Sequence, residues 1–228
     1  LVPVALNYDR VLEDRALIRE LLEPDGRPGR IRQFLGVTRY LVANLLRLVT
    51  GNLKRYGRVA VNFGTPTSLH QWDAAHAGVL ELEKAQRLPR LEGLAREVMD
   101  RIAAIIPVTP VPLAAAALLS FDRSVVRRED LLGRLEAYRD HLMATNAKLV
   151  HTEASPAAIL ERAWKTLGMR RLVMEEEASY VILPGQRPLL EYYANSVRHL
   201  LPAAERISEA HPAHEPEEGL PSLKRRTF

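Results

Sequence analysis

The side chains available for chemistry are few. The chain carries seven histidines and no cysteine. Disulfides, thiolate metal sites and a cysteine nucleophile are therefore excluded. A histidine acts as a general base most readily when a carboxylate orients it and stabilises its charged form. His76 and Glu81, in Trp72-Asp73-Ala74-Ala75-His76-Ala77-Gly78-Val79-Leu80-Glu81, are the nearest approach to such a pair. Tyr8, Asp9 and Arg10 gather polar groups where an apolar run gives way to a helical pattern. Asp9 is expected there to cap the helix or to pair with Arg10 or Arg15. Asn62 and Gly64 close a second apolar run, the glycine expected to allow a sharp turn and the asparagine to bond the loop backbone. Cations collect at Arg27, Arg30 and Arg32, at Lys54, Arg55 and Arg58, and at Arg170 and Arg171. Such clusters are mostly solvated surface, and the alternative is that one faces an anionic lipid surface.

These groups need elements to hold them. With 228 residues, 47% hydrophobic and 26% charged, the chain can bury a sizeable core and is not expected to be disordered. It opens on Leu1 rather than Met, inside an apolar run, which predicts a fragment of a longer protein. Residues 2–6 read as a strand, and Val11, Leu12, Ala16, Leu17, Ile18, Leu21 and Leu22 follow helical spacing. A Pro- and Gly-rich loop at 23–29, a longer helix over 31–49 and a second strand over 58–63 follow. Beyond residue 85 the pattern becomes helical, with a stripe at Leu91, Leu94, Ala95, Val98, Ile102, Ile105 and Ile106. Thr109 offers an N-cap, with Pro110 at the first helical position. Helices are expected over 128–145 and over 156–167, the second capped by Ser155. A small hairpin is expected from 172–174 and 180–183, then a last helix through Leu189, Leu190, Tyr193, Val197 and Leu200. The tail from about residue 208 is polar. Residues 102–119 lack charge and approach spanning length, but Pro107, Pro110 and Pro112 break them into two buried helices meeting at a turn.

Four stretches are similar to the glycerol-3-phosphate acyltransferase family. Val2-Pro3-Val4-Ala5-Leu6-Asn7-Tyr8-Asp9-Arg10-Val11-Leu12-Glu13 resembles the fourth of its conserved blocks, and Val61-Asn62-Phe63-Gly64-Thr65-Pro66 resembles a strand that follows. Pro107-Val108-Thr109-Pro110 leads into Ala115-Ala116-Ala117-Leu118-Leu119-Ser120. Pro188-Leu189-Leu190-Glu191-Tyr192-Tyr193-Ala194-Asn195-Ser196-Val197-Arg198-His199-Leu200 looks like the closing helix. The four stretches stand in the family's order and span nearly the whole chain.

The resemblance implies transfer of a fatty acyl group from coenzyme A, or from an acyl carrier protein, to the first hydroxyl of glycerol 3-phosphate, a step of phospholipid synthesis. It implies no cofactor, and a place at the cytoplasmic face of the membrane, peripheral or otherwise membrane-associated. In the family a His-x-x-x-x-Asp motif supplies the base. None of the seven histidines here has an Asp five positions on, and the block that holds the substrate phosphate is missing too. The chain alone is therefore expected to be inactive and to hold no catalytic residue. By resemblance, the substrate-binding residues are Val2, Pro3, Val4, Tyr8, Asp9, Arg10, Asn62 and Gly64. Asn195 is expected to bridge the two parts of the chain, and Tyr193 to pack in the core. Dihydroxyacetone phosphate is the alternative acceptor.

The expected fold is an α/β fragment plus a mostly helical domain. Residues 1–84 form the trailing edge of an acyltransferase sheet, 85–207 a helical domain with one hairpin, and 208–228 a mobile tail. A rival reading takes 128–200 as a winged-helix nucleic-acid binder, its recognition helix at 156–167 and its wing at 172–183. Against it, Glu175, Glu176 and Glu177 at the wing tip would repel phosphate, and no nucleic-acid partner is expected.

Overall fold

The computed structural model describes residues 1–11, 14–22, 59–76 and 78–202. The loop at 23–29, the helix over 31–49, the basic clusters at 27–32 and 54–58 and the tail from residue 208 lie outside the described residues.

The first strand, β1 (Val4–Tyr8), starts two residues later than its apolar run and continues to Tyr8. Pro3, with no N–H for a ladder, stands just before it, a position proline tolerates. β1 pairs antiparallel with β2 (Val59–Phe63), setting Val4 opposite Phe63, Leu6 opposite Val61 and Tyr8 opposite Val59. Side chains alternate across such a pair, so its two faces differ in kind. One carries the small or polar Ala5, Asn7, Ala60 and Asn62 and is turned inward. The other presents those six larger side chains, from Val4 at 37% to Phe63 at 73% exposed.

Between and after the strands come α1 (Asp14–Leu22), α2 (Leu69–Ala75), a 3₁₀ turn at Val79–Glu81 and the long α3 (Lys84–Ala104). Ser68 caps α2 by accepting the Gln71 N–H at 3.3 Å. On α3 the predicted stripe buries only Leu94, which joins Trp72 and Val79 in a small separate cluster with Leu91 and Val98 at its margin. α3 stops at Ala104, leaving Ile105 and Ile106 in the turn beyond.

The main core surrounds α4 (Pro110–Leu119), in which every residue up to Leu118 is buried. Thr109 is its N-cap residue, but its hydroxyl makes no capping bond. A capping side chain accepts from the N–H of the second or third helical residue, and the third here is Pro112, which has none. The turn before α4 divides the uncharged run as expected. Among the described residues, no helix is long and apolar enough to cross a membrane.

Around α4 pack α5 (Arg128–Ala144), α6 (Pro156–Leu167) and α7 (Arg187–Asn195), with Leu131, Leu135, Leu142, Ile159 and Leu190 fully buried. Ser155 caps α6 through the Ala158 N–H. The hairpin forms as β4 (Val173–Glu176) and β5 (Ser179–Ile182), and its turn holds Glu177 at φ 49°. It is joined by a strand the sequence did not announce, β3 (Val125–Arg127), giving the order β3-β5-β4. A three-residue strand with one buried side chain, Val126, carries too little periodicity to read. α7 ends at Asn195, short of the predicted Leu200; a 3₁₀ turn at Arg198–Leu200 follows, and Val197 and Leu200 still pack on the core. The described residues thus form a mixed α/β structure with two small antiparallel sheets.

Candidate functional site

The four motifs lie far apart in sequence and meet in space. Asn7, on the inward face of β1, donates its amide to the Pro107 carbonyl at 2.8 Å and to Ser196 Oγ at 3.2 Å. Asn62, its neighbour on β2, donates to the Ile105 carbonyl at 2.9 Å. Gly64 bonds back to the Pro3 carbonyl at 2.8 Å. Val108 is fixed from the far side, its carbonyl accepting from Thr152 Oγ1 at 3.0 Å. The two inward asparagines thus staple the β1–β2 pair to the linker between α3 and α4 and to the end of α7.

This geometry revises three expectations. Gly64 is not in the left-handed region; a Cβ there would stand 3.2 Å from Ile105 Cδ1 and 3.2 Å from Pro3 Cβ, so close approach requires the glycine. Asn62 bonds the end of α3 rather than its own loop. Asn195 is exposed, and the bridge expected of it runs through its neighbour Ser196 instead, because the helix turns Asn195 to solvent.

A second set of contacts grips the turn after β1. Asp14, completely buried, opens α1 and pairs with Arg170 through Oδ1 and with the Tyr193 hydroxyl through Oδ2. The Arg15 N–H also donates to Asp14 Oδ1, at 2.6 Å, and Arg15 Nη2 reaches the Arg170 carbonyl at 2.7 Å. Tyr193 Oη accepts the Val11 N–H at 3.3 Å. Burial, then the bond to Asp14, holds the Tyr193 phenol far above the ordinary tyrosine range. Arg170 is therefore an interior ion-pair partner, whereas the sequence placed it in a surface cluster; Arg171 does remain exposed. α1 begins well beyond Asp9, so Asp9 does not cap it.

The remaining predicted positions divide by exposure. Val2, Val4 and Tyr8 face outward, Pro3 is buried, and Asp9 and Arg10 are half-buried in the turn. Sequence reasoning missed Asp14, Arg170 and Ser196. Asn7 carried a signal, a polar residue on the inward phase of an apolar strand. Asp14 carried none, because its partners lie 156 and 179 residues away.

His76 does not pair with Glu81. Its Nδ1 sits 2.7 Å from the Trp72 carbonyl and its ring stacks on Trp72 with centroids 4.4 Å apart, closing α2. Among the described residues no group of three or more metal-ligating side chains occurs. A shallow groove of about 530 Å³ runs between α6 and β4, past Trp164, Met169, Met174 and Leu183, and none of the turn residues lines it.

Residues 42–204 match the profile of the glycerol-3-phosphate acyltransferase C-terminal region. The chain belongs to that family. Relatives of the chain include the protein named glycerol-3-phosphate acyltransferase of Xanthomonas campestris pv. campestris, 28% identical over 212 residues, which covers 89% of this chain and 23% of the relative. The protein of the same name from Pseudoalteromonas translucida is 28% identical over 215 residues, covering 88% of this chain and 24% of its own length. The chain spans about a quarter of the length of the curated relatives it matches.

Proposed function

We propose that this chain is the C-terminal part of a glycerol-3-phosphate 1-O-acyltransferase. The observation that carries the reading is the family match over residues 42–204. The convergence of the four motifs on one interface supports it.

In the reaction, the first hydroxyl of glycerol 3-phosphate attacks the thioester carbonyl of an acyl-coenzyme A or an acylated carrier protein. The ester forms, the thiol leaves, and a general base takes the hydroxyl proton. This chain has no His-x-x-x-x-Asp pair, and His76 is occupied in closing α2. The base and the phosphate-binding cations belong to the upstream part, and the isolated chain is inactive. Its contribution is the rim of the site, from Val2, Pro3, Val4, Tyr8, Asp9, Arg10, Asn62 and Gly64. On this reading residues 1–84 are the trailing edge of the acyltransferase α/β domain and residues 85–207 the helical domain behind it. The outward apolar face of β1 and β2 is where the rest of that domain packs, since a two-stranded pair with one bare apolar face is not stable alone. The enzyme works at the cytoplasmic face of the membrane, in peripheral contact with it.

The deciding experiment measures acyl transfer from palmitoyl-coenzyme A to glycerol 3-phosphate by this chain and by a version extended upstream. Activity in the extended version alone is expected. Activity in the short chain would return attention to His76, and activity in neither would overturn the reading. Substituting dihydroxyacetone phosphate as acceptor tests the alternative substrate.

A winged-helix reading is favoured by one observation, the run α4, β3, α5, α6, β4, β5 with sheet order β3-β5-β4. The charges oppose nucleic acid. Lys165 is engaged with Glu161 and Arg162 with the His151 carbonyl, and the hairpin turn is acidic. No shift of duplex DNA at low salt is expected.

A further inference from the structure

We propose that the groove between α6 and β4 binds a long acyl chain that ends in a phosphate. The chain lies along the groove and the phosphate meets Lys165 and Arg171. The site shares no residue with the β1–β2 motifs, and its test does not depend on the acyltransferase reading.

Three observations carry it. First, the groove has a fixed floor. A Cβ at Gly168 would stand 3.2 Å from Cε2 and from Cζ2 of the Trp164 indole, and that ring leans on Tyr180 with centroids 5.2 Å apart. Gly168 has an ordinary helical φ of −68°, so the ring and not the backbone calls for a glycine there. Second, the lining suits a flexible apolar chain. Met169 and Met174 flank the groove at 54% and 44% exposed, and unbranched, polarisable thioethers adapt to an irregular occupant. Its volume of about 530 Å³ falls within the roughly 300–1,000 Å³ of small-molecule sites. Third, the rim is cationic. Lys165 faces Glu161 at 3.5 Å, but those side chains are 70% and 74% exposed, and such a pair is readily given up for a ligand anion. Arg171 is exposed and ends the turn after α6 at a left-handed φ of 54°, uncommon for a residue other than glycine. The carboxylate of the lining, Glu175, is already engaged, accepting from Arg128 Nη1 at 3.3 Å and from the Tyr180 hydroxyl at 3.1 Å. A phosphate monoester carries about two negative charges at neutral pH and so matches both cations, where a carboxylate would match one.

The test uses the whole 228-residue chain and reads tryptophan fluorescence. The chain has two tryptophans, Trp164 in the groove and Trp72 buried in the small separate cluster. The β1–β2 pair has none, so lipid held on its outward face is not detected. In Trp72→Phe, a monoacylglycerol phosphate brominated in mid-chain and kept dispersed is expected to quench Trp164 saturably. In Trp164→Phe the remaining Trp72 is expected to stay unquenched. Comparing that variant with the unsubstituted chain serves if Trp72→Phe fails to fold. Lys165→Gln/Arg171→Gln in the reporter chain, or a brominated monoacylglycerol without the phosphate, is expected to bind about tenfold more weakly. Met174→Asp, which sets a charge in the path of the chain, is expected to weaken binding by about tenfold or more. Absence of quenching at Trp164 would overturn the proposal, as would equal binding of the lipid without its phosphate. Quenching by vesicles of brominated diacyl lipid but never by the dispersed monoacyl lipid would also overturn it, since this face would then meet a membrane surface rather than hold a single lipid.

Discussion

Gly64 shows how little room the interface between the strands and the α3–α4 linker leaves. A methyl group added there meets Ile105 Cδ1 and Pro3 Cβ, both at 3.2 Å, tighter than ordinary contact. Gly64→Ala is expected to destabilise the chain by about 1–3 kcal/mol, the usual cost of overpacking. Ile105→Val deletes one of the two obstructing carbons, so the double variant should lose less than the sum of the singles. Urea unfolding of the four proteins tests this, and strict additivity would refute the steric account. Tyr193 offers a second residue-scale test, read on the pH axis. Burial and the Asp14 carboxylate raise its folded pKa, and Arg170 and the Val11 N–H, which oppose this, do not reverse it. Its unfolded value is about 10. The stability it contributes is therefore complete below about pH 10 and declines as pH rises toward the folded value. Tyr180 and Tyr192 are raised as well and act in the same direction. Stability should fall on the alkaline side, and Tyr193→Phe should fall less steeply between about pH 9 and 10.5; equal slopes would contradict the assignment.

Among the elements, α4 is the most constrained. Ala114, Ala115 and Ala117 are fully buried where α5, α6 and α7 close on it, and small side chains let those helices approach. Ala115→Leu is expected to cost about 1–3 kcal/mol through overpacking, whereas Ala137→Leu on the exposed side of α5 should stay within about 0.5 kcal/mol. Thermal unfolding distinguishes them, and similar values would mean that the core around α4 is loosely packed. The contrast also explains what the sequence discloses. α6 is legible to the residue because Ser155, Pro156 and a strong apolar stripe all agree. The α3–α4 division is legible from three prolines. β3 is not, since its stability comes from β5 alongside it rather than from its own three residues. The early end of α7 is likewise hidden, because Val197 and Leu200 keep a helical spacing that the backbone has already left. At the candidate site, the strand motifs are legible as motifs, but the groups that fasten the strands to the helical part, Asp14, Arg170 and Ser196, depend on partners that no local pattern reveals.

At the scale of the whole molecule, the outward face of the β1–β2 pair dominates behaviour in solution. Leu6 is 50% and Val61 44% exposed, and they stand opposite each other. An apolar sheet face beside strand edges that pair with no further strand among the described residues invites association. The chain alone is expected to self-associate, and Leu6→Glu with Val61→Lys, an opposite-charge cross-strand pair, should shift it toward monomer in sedimentation velocity. On the proposed reading, the same pair placed in the version extended upstream should abolish acyl transfer by preventing the rest of the acyltransferase domain from packing. A monodisperse unsubstituted chain would refute the account of this face.

The Asp14 bonds to Arg170 and Tyr193 have a consequence in time as well as in space. On the ribosome, β1 and α1 emerge long before the residues that complete them, separated from Tyr193 by 179 positions. Contacts of such separation are slow to form, because the intervening chain must be ordered first. Until then a carboxylate destined for a dry interior stays hydrated, and α1 has no reason to settle against the helical part. β1 and α1 are thus made early and finished late, and a nascent chain halted before α7 should leave them open to proteases.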